Sequence, residues 1–451
     1  MQMKKVLLVA YHYPPSSAVG AVRPSKFVEY LPAFGWSPNV LTTPMAEPGF
    51  PVRVEAGEVH RVQEWPHPLK SYERFKVRSL KRQGREQELA RKMSVPYTQW
   101  MAPSRSGLVG LKLWVGAWGW LPDRETGWLI PAIRRGLSLI RREPGTCLLT
   151  TGPPFTCHLI GLVLKRLTGA RWIADFRDPW SLSHKVPLIR NNWTDLIEQR
   201  MMRAVMGKAD RVISVTQFMT EQARKEYPDL DPDKFVTVSS GFDSSDFTDL
   251  PATRPAQPPV VFSYLGTFYY GRSPESFLVA VASLFADGSV KQGDLVVKFI
   301  GNVAMADGQP VHEMVQRLGL EETVSIEPLV PRREALKKTL ESHIALVLDE
   351  RHPIQIPFKL YDALAAGAVI FNIGSRGAVS EVLAKTGRGI SVDHTNVAEI
   401  RDGILECIRR SRSMENRRSS APWLDPTIQD YNFQRLTGRL AGLLERVGST
   451  G

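Results

Sequence analysis

Several side chains in the second half of the chain could bind an anionic group, and each follows a run of apolar residues. Arg272 closes the segment GTFYYGR, where a guanidinium beside a helix N-terminus could hold a phosphate. Lys359 and Asp362 stand three residues apart in PFKLYDALAAG, and on a helix they would share a face. One could contact a phosphate and the other a ribose diol. The turn GSRGAVSE (374–381) offers backbone amides to an anion.

Each of these segments also has an ordinary structural explanation. Arg272 is equally explained as a surface residue that caps a turn. Lys359 and Asp362 could form a surface ion pair, which is the commoner case on an amphipathic helix. The glycine-flanked turn could be a plain connection between a strand and a helix. Taken one by one, the segments leave binding and structure as open alternatives.

Three segments in the first half also follow apolar runs. YHYPPSSAVGAVR contains Gly20, where the backbone can approach a ligand closely. TTGPPFTCH ends on His158, which would lie on the first turn of the next helix. DFRDPW places Asp175 and Asp178 on either side of Arg177. An acid–arginine–acid triplet at the end of a strand favours a functional site more than most loops do.

The first-half segments have structural alternatives as well. The first could be an ordinary loop with a proline turn, and a lone histidine is more often structural than catalytic. The third could hold a local Asp–Arg salt bridge in a tight turn. No segment reads GxGxxG, so a dinucleotide cofactor site of the Rossmann type is not supported.

The elements that must position these residues alternate between strands and helices. Runs that are apolar on consecutive residues are typical of parallel strands covered on both faces. They occur at 6–10, 39–41, 147–150, 172–174, 212–215 and 235–238, and again at 260–265, 295–300, 324–326, 344–348 and 369–373. Helical patterns lie between many of them. The alternation predicts two Rossmann-like, doubly wound α/β domains.

A proline-dense stretch, DLPATRPAQPP (249–259), separates the two series and is predicted to be the linker. We therefore expect an α/β domain over 1–248, a second over 260–420 and a helical segment over 421–451. The last helix is expected to return to the first domain. Open parallel sheets bind ligands outside the carboxyl ends of their strands, so a cleft between the two sheets is the expected site.

Composition restricts the classes of protein and partner. The chain has 451 residues, with 58 Lys and Arg against 46 Asp and Glu, a net charge of +12. It contains 43% hydrophobic residues, which excludes a disordered or collagen-like chain. The positive excess indicates an anionic partner: a nucleotide, a phospholipid surface or nucleic acid. No motif supports nucleic acid, so we expect none to bind.

A basic and tryptophan-rich stretch interrupts the first domain at about 47–125. Lysines and arginines concentrate over 70–112, and four tryptophans lie between 100 and 120. This composition suits an anionic membrane surface, because indole rings settle at the level of lipid headgroups. A solvated basic helix whose tryptophans fill the core explains it equally well.

Targeting signals and cysteines indicate the compartment. Cys147, Cys157 and Cys407 cannot all pair, and none lies in a close CxxC, so zinc and a disulfide framework are not expected. No stretch approaches the roughly 20 apolar residues that span a bilayer, and the first strand is too short for a signal sequence. We expect a cytoplasmic protein, with peripheral contact to the inner face of the plasma membrane.

Taken in order, the segments resemble a family 4 glycosyltransferase of the GT-B fold, of the type that builds bacterial polysaccharide or lipid-linked glycan. The resemblance rests on YHYPPSSAVGAVRPSKFVEYLPAFGWSPNVLT, TTGPPFTCHLIGLVLKRLTGARWIADFRDPW, SSGFD, YLGTFYYGR and PFKLYDALAAG. It implies that a sugar moves from a nucleotide diphosphate donor to a glycan or lipid-linked acceptor in cell-surface polysaccharide synthesis, with retention of configuration. The first domain would bind the acceptor, and the second the donor.

The resemblance also implies roles for particular residues. Arg272 and Lys359 would stabilise the departing diphosphate, and Asp175 and His158 would orient the acceptor or support positive charge on the sugar. The implied substrate-binding residues are Gly20, Arg177, Asp178, Thr267, Asp362, Gly374, Ser375, Gly377 and Glu381. The donor would be a UDP- or GDP-linked sugar as co-substrate, and no other cofactor and no metal is expected, because no DxD-like site accompanies the donor motifs.

The sequence departs from the family at two positions. The family usually has two glutamates with seven residues between them. Here Asp362 keeps the second carboxylate, and Ile354 replaces the first glutamate. An arginine and a lysine five residues apart are usual at the diphosphate, but here those positions are Thr267 and Arg272. Two other functions therefore stay open. The second after glycosyl transfer is a degenerate sugar-nucleotide-binding scaffold, and the third is a sugar-nucleotide epimerase.

Overall fold

A computed structural model describes residues 3–16, 18–44, 57–66, 78–79, 82, 121–180, 192–251, 254–255, 257–268, 272–350, 353–415 and 421–448. Most of the predicted basic insertion lies outside these residues. The described chain forms two compact units. One holds the residues up to Ser240 together with those from Phe433 onward, and the other runs from Gly241 to Asn432.

The first unit is built on a parallel sheet of seven strands in the order β3-β2-β1-β4-β5-β6-β7. The strands are β1 (Lys4–Ala10), β2 (Trp36–Thr42), β3 (Val59–Arg61), β4 (Cys147–Gly152), β5 (Trp172–Phe176), β6 (Arg211–Ser214) and β7 (Phe235–Thr237). All residues of β4 and β5 are buried. Both faces of these strands are covered, which is why their apolar residues are consecutive rather than alternating.

Helices cover this sheet. They are α1 (Val22–Tyr30), α2 (Leu129–Arg142), α3 (Thr156–Thr168), α4 (Asn192–Lys208), α5 (Gln217–Glu226) and, in the residues from Phe433 onward, α12 (Phe433–Gly448). The C-terminal helix α12 packs on α1, where the rings of Phe27 and Phe433 meet edge to face at 6.2 Å. Lys4 and Glu445 add an ion pair of 2.7 Å at the surface.

The second unit has a parallel sheet of six strands in the order β12-β9-β8-β13-β14-β15 and a two-stranded antiparallel pair, β10 with β11. The strands are β8 (Val260–Thr267), β9 (Leu295–Asn302), β10 (Met305–Ala306), β11 (Gln309–Pro310), β12 (Val324–Glu327), β13 (Ile344–Asp349), β14 (Val369–Gly374) and β15 (Gly389–Val392). Its helices are α6 (Glu275–Ala286), α7 (Val311–Arg317), α8 (Arg332–Glu341), α9 (Lys359–Ala366), α10 (Ala378–Thr386) and α11 (Val397–Glu415).

The predicted fold class, two doubly wound parallel α/β domains, is confirmed by these two sheets. The described proline-rich residues between 249 and 259 belong to the second unit. Arg254 holds this stretch by donating hydrogen bonds to the carbonyl oxygens of Leu340, Ala366 and Gly367, at 3.0–3.3 Å. The chain changes unit between Ser240 and Gly241, a few residues before the predicted domain end at 248. None of the described helices has both the length and the apolar character needed to cross a membrane.

A close approach of two backbones fixes the carboxyl end of β8. Gly301 on β9 has a φ of +129°, and a Cβ atom there would lie 2.0 Å from the carbonyl oxygen of Gly266. Only glycine fits, because any side chain would clash with backbone that cannot move aside. The contact sets the position of Thr267, with which β8 ends.

We predict that Gly301→Ala lowers the free energy of unfolding by about 2–4 kcal/mol, since clash and backbone strain add together. Urea unfolding measures the loss. Gly288→Ala is the matched control, because Gly288 also has positive φ (+74°) but has no atom within 4 Å of the added Cβ. Equal losses in the two variants would contradict the close-approach argument.

Candidate functional site

A buried ion pair joins several carboxyl ends of the first sheet. Nε and Nη2 of Arg23 donate to the two carboxylate oxygens of Asp175 at 3.0 and 2.8 Å, and both side chains are almost completely buried. Thr151 Oγ1 donates to the same carboxylate at 2.8 Å. Arg23 also donates to the carbonyl oxygens of Val238 and Ser239, at 2.9 and 2.5 Å. The pair therefore ties the start of α1 to β4, β5 and the residues after β7.

The predicted alternative of a local salt bridge within DFRDPW is wrong for Asp175. Its partner is Arg23, 152 residues earlier in the chain, and not Arg177. Arg23 is not among the site residues predicted from the sequence, although it stands at the start of the helix that follows the first strand. Asp175, predicted to be catalytic, lies in the buried pair.

His158 is held as a neutral ring. Trp172 Nε1, which can only donate, bonds to Thr150 Oγ1 at 2.9 Å, and the same hydroxyl is hydrogen-bonded to His158 Nδ1 at 2.8 Å. The other ring nitrogen, Nε2, has no hydrogen-bond partner among the described residues. Burial lowers the pKa of His158 to about 3. The imidazole is therefore uncharged at neutral pH.

Aromatic rings surround His158 at the ends of β4 and β5. The Phe176 ring stacks on the imidazole at 4.2 Å, and Phe155 stacks on Trp180 at 4.7 Å. A Cβ atom on Gly152 would lie 2.8 Å from His158 Nε2, so the absence of a side chain there leaves room for the imidazole. The ring is therefore fixed in position as well as in protonation state.

Gly20 and Arg177, which the sequence places in separate segments, come together. A Cβ atom on Gly20 would lie 2.4 Å from Arg177 Nη1, and Arg177 Nη2 donates to the carbonyl oxygen of Pro153. Burial lowers the pKa of the Arg177 guanidinium, while the nearby charges of Asp178 and Asp175 act in the opposite direction. The loops after β1, β4 and β5 thus meet at one edge of the sheet.

Lys359 carries a buried ammonium at the first residue of α9. Its Nζ lies 3.0 Å from the centre of the Tyr264 ring and has no hydrogen-bond acceptor among the described residues. Burial lowers the pKa of Lys359 well below its ordinary value, and the positive charge of Arg272 lowers it further. The negative charge of Asp349 opposes both effects. Arg272 and Lys359, predicted to act together on a diphosphate, thus influence one another electrostatically.

Asp349 completes this charged group and is not among the site residues predicted from the sequence. It ends β13, it is 3% exposed, and burial raises its pKa to about 7 against the lowering effect of Arg272 and Lys359. Asp349 follows the apolar run 344–348 just as Asp175 follows 172–174, so the pattern that predicts Asp175 as a site residue also applies to Asp349. We name Arg272, Lys359 and Asp349 the charged cluster of the second unit.

The glycine-flanked turn lies beside the cluster at the end of β14. Gly374 pairs in register with Asp349, and a Cβ atom on Gly374 would lie 2.4 Å from the Asp349 carbonyl oxygen. Ser375 Oγ donates to the Glu350 carbonyl oxygen at 3.0 Å. The turn is therefore packed closely against the end of β13.

The same turn already uses some of the amides that the sequence predicts for an anion. The amide of Ala378 donates to the Pro353 carbonyl oxygen at 2.6 Å, and the amide of Gly377 donates to Ser380 Oγ at 3.4 Å. Glu381 lies exposed on the first turn of α10. Thr267, half-buried at the end of β8, accepts a hydrogen bond at its carbonyl oxygen from the Tyr264 hydroxyl at 2.9 Å.

Asp362 lies on the same helix as Lys359 but has a different partner. The Arg332 guanidinium binds both of its carboxylate oxygens, with Nη2 and Oδ1 2.7 Å apart. Asp246 lies 3.7 Å from the same guanidinium. Burial raises the pKa of Asp362, and the charge of Arg332 opposes the rise. Any ribose hydroxyl that reached Asp362 would share its carboxylate with Arg332, a partner that the sequence analysis did not identify.

The arrangement favours chemistry with anions. Lys359 and Arg272 concentrate positive charge at the carboxyl ends of β8 and β13, where N–H donors could meet phosphate oxygens. Within the described ranges, no group of three or more His, Cys, Asp or Glu side chains has the spacing of a metal site. The first unit offers a neutral imidazole and a guanidinium at the corresponding edge of its own sheet.

Two doubly wound parallel units, each with polar side chains at the carboxyl ends of its strands, define the fold class as GT-B, the fold of two-domain glycosyltransferases. Solved structures agree over nearly the full length of the chain. Sucrose-phosphate synthase from Thermosynechococcus elongatus matches with a TM-score of 0.61 and 14% identity, over 99% of this chain and 100% of that one.

Two further solved structures also match over nearly the whole of this chain. Anabaena HepE in complex with UDP-glucose matches with a TM-score of 0.60 and 11% identity, over 98% of this chain and 99% of that one. WaaG, a glycosyltransferase involved in lipopolysaccharide biosynthesis, matches with a TM-score of 0.56 and 11% identity, over 99% of this chain and 100% of that one. No protein-family model and no curated protein matches the chain by sequence. At these identities the likeness establishes the fold.

We predict that Arg23→Met lowers the free energy of unfolding by about 3–5 kcal/mol, because it leaves the Asp175 carboxylate buried without its cation. Chemical unfolding of purified protein measures the loss. The double variant Arg23→Met with Asp175→Leu should recover part of it. Arg203→Met, which breaks an exposed Arg–Asp pair, is the control and should have a much smaller effect. A loss no larger than the control's would contradict the assigned role.

We predict that His158 reduces stability below pH 6.5. The unfolded state takes up a proton near pH 6.5, whereas the folded state resists it until about pH 3, so stability falls as the pH falls through this window. The expected slope is about 1.4 kcal/mol per pH unit. It is measured as the difference between wild type and His158→Gln in urea unfolding from pH 6.5 to 5.0.

His312→Gln, which removes an exposed imidazole, serves as the matched control. A His158→Gln variant with the wild-type slope would show that the imidazole is not held neutral.

Proposed function

We propose that the protein is a retaining glycosyltransferase that moves a sugar from a nucleotide diphosphate donor to a glycan or lipid-linked acceptor. The observation that carries the proposal is the Lys359 ammonium, which is buried without a hydrogen-bond acceptor among the described residues and lies beside a second cation, Arg272. Burying an ammonium without a full counter-charge is costly, and an oxyanion bound there would remove the cost.

The charge that develops in glycosyl transfer fits this environment. When the bond between the anomeric carbon and the phosphate oxygen breaks, the electron pair stays on the diphosphate. Positioned cations stabilise that charge more in the transition state than in the ground state. Arg272 and Lys359 fill this role in the proposal, and Asp362, through its pair with Arg332, stands near the ribose end of the donor.

The acceptor step needs no protein nucleophile. As the resemblance implies, the acceptor oxygen bonds to the anomeric carbon on the face that the diphosphate leaves, and its proton passes to the departing phosphate oxygen. The first unit would bind the acceptor through Arg177, Asp178 and the loop at Gly20. His158 contributes a neutral imidazole, which orients an acceptor oxygen without adding charge.

The similar structures support the donor class and the biological setting. HepE is described in complex with UDP and with UDP-glucose, which favours a UDP-linked donor here, with GDP as the alternative. WaaG is described as acting in lipopolysaccharide biosynthesis, which favours cell-surface polysaccharide synthesis. Family 4 membership, a cytoplasmic location and peripheral contact with an anionic membrane complete the proposal. The basic stretch that would make this contact lies largely outside the described residues.

A second function, sugar-nucleotide binding without transfer, is favoured by two observations. Ile354 provides no carboxylate where the family has one. Asp362, which keeps the other, is bound on both oxygens by Arg332. Donor binding without transfer or hydrolysis in the presence of candidate acceptors would favour this second function.

We predict that Arg272→Ala and Lys359→Ala each raise the Kd for the nucleotide diphosphate about 10- to 100-fold, as expected for the loss of a hydrogen bond to a charged group. A thermal-shift screen of UDP- and GDP-linked sugars identifies the donor, since a ligand of the native state raises its stability. Calorimetry then gives the affinities. Lys337→Ala, an exposed lysine of the same unit, is the control. Wild-type affinity in both cluster variants would refute the diphosphate site.

We also propose that transfer does not depend on a metal ion, because two side-chain cations can take up the charge of the leaving group. Protein dialysed against EDTA is expected to keep its rate of sugar transfer from the donor found in the screen. An activity that disappears and returns only with Mg²⁺ would refute metal independence while leaving the donor site in place.

A further inference from the structure

The face of Tyr264 lies directly against the Lys359 ammonium. Nζ is 3.0 Å from the ring centre, the closest approach of a cation to a ring among the described residues. Tyr264 belongs to β8 and is 1% exposed. Its hydroxyl donates to the Thr267 carbonyl oxygen at 2.9 Å, and Phe268 packs against the ring at 4.6 Å. The aromatic surface beneath the ammonium is therefore held in place from two sides.

The other charges near Lys359 do not replace this contact. Arg272 repels the ammonium. Asp349 attracts it, but the carboxyl has a pKa of about 7 and so carries only part of a negative charge at neutral pH. The π face of an aromatic ring attracts a cation, and the attraction is strongest where water is excluded.

An aromatic partner differs from a carboxylate because it leaves the N–H donors of the ammonium available. A carboxylate would accept the ammonium N–H groups and neutralise their charge. The ring attracts the charge but accepts no conventional hydrogen bond, so the N–H donors that point away from it can still bind oxygen. The ring of Tyr264 thus supports the charge of Lys359 without occupying its N–H donors.

We propose that Tyr264 is a positioning residue for the donor diphosphate: its ring holds the Lys359 ammonium in place and leaves the N–H donors to the phosphate oxygens. The inference rests on the proposed function, because it assigns the ligand of that same site. The inference goes beyond the proposed function because it attributes part of the affinity for the diphosphate to Tyr264, a side chain that does not itself bind the ligand.

Fluorination of the ring tests the proposal without changing its shape greatly. Fluorine atoms withdraw electron density from the π face, and the series consists of Tyr264→Phe, Tyr264→4-fluorophenylalanine, Tyr264→3,5-difluorophenylalanine and Tyr264→pentafluorophenylalanine. The Kd for UDP or GDP should rise step by step, by about 30-fold from the first variant to the last. The same substitutions at Phe277, a buried ring of the same core cluster with no described cation over it, should leave the Kd unchanged.

A second measurement needs no ligand. The pKa of Lys359, followed by NMR of its ¹³Cε signal and assigned with Lys359→Met, should fall further with each fluorine, because the charged form loses support. A pKa and Kd that stay constant along the series would overturn the positioning role. If the pKa falls but Lys359→Met binds UDP and GDP as the wild type does, the proposed donor site itself is overturned, and the role of Tyr264 in binding with it.

Discussion

The cost of removing a charge from water governs the carboxyl edges of both sheets. For Arg23 and Arg332 an ion pair offsets this cost, since each guanidinium binds both oxygens of a buried carboxylate. Lys359 does not, because it has an aromatic face beneath it and a partly protonated carboxyl nearby. Two of these cations are thus satisfied within the protein, and the third is stabilised only in part. That difference separates structural pairs from a site that gains by binding an anion.

The two satisfied pairs have a different role, which is to fix backbone. Arg23 reaches carbonyl oxygens beyond β7 as well as Asp175, so one side chain sets the relative positions of several strand ends. Such a pair adds little net stability compared with apolar residues of the same volume, but losing one partner is costly. The loops that hold Gly20, His158 and Arg177 therefore depend on a buried ion pair in which substitution of one partner alone destabilises the fold.

The fold could be predicted from the sequence because both sheets are covered on both faces. Runs such as 6–10 and 344–348 are continuously apolar, and that pattern identifies a parallel strand without knowledge of its neighbours. Strand ends were less certain, since β13 extends to Asp349 and β8 to Thr267. Polar residues at strand ends interrupt the apolar pattern, so the positions closest to the site were the hardest to assign.

The site could be predicted only as a set of segments. The sequence indicated Arg272, Lys359, His158 and Asp175, because each stands just after a strand or near the start of a helix. It could not indicate their partners. Arg23 lies 152 residues from Asp175, and Arg332 lies 30 residues from Asp362, distances at which no local spacing rule applies. The hydrogen bonds that link His158, Thr150 and Trp172 likewise form only when the folded sheet brings the three residues together.

The position of Asp349 makes proton uptake part of ligand capture. Because its pKa is raised to about 7, its carboxyl is partly protonated in neutral solution. An anion arriving next to it favours the protonated form, since like charges repel. Each capture event therefore draws a fraction of a proton from the surrounding buffer, and the heat measured on mixing includes the ionisation enthalpy of that buffer.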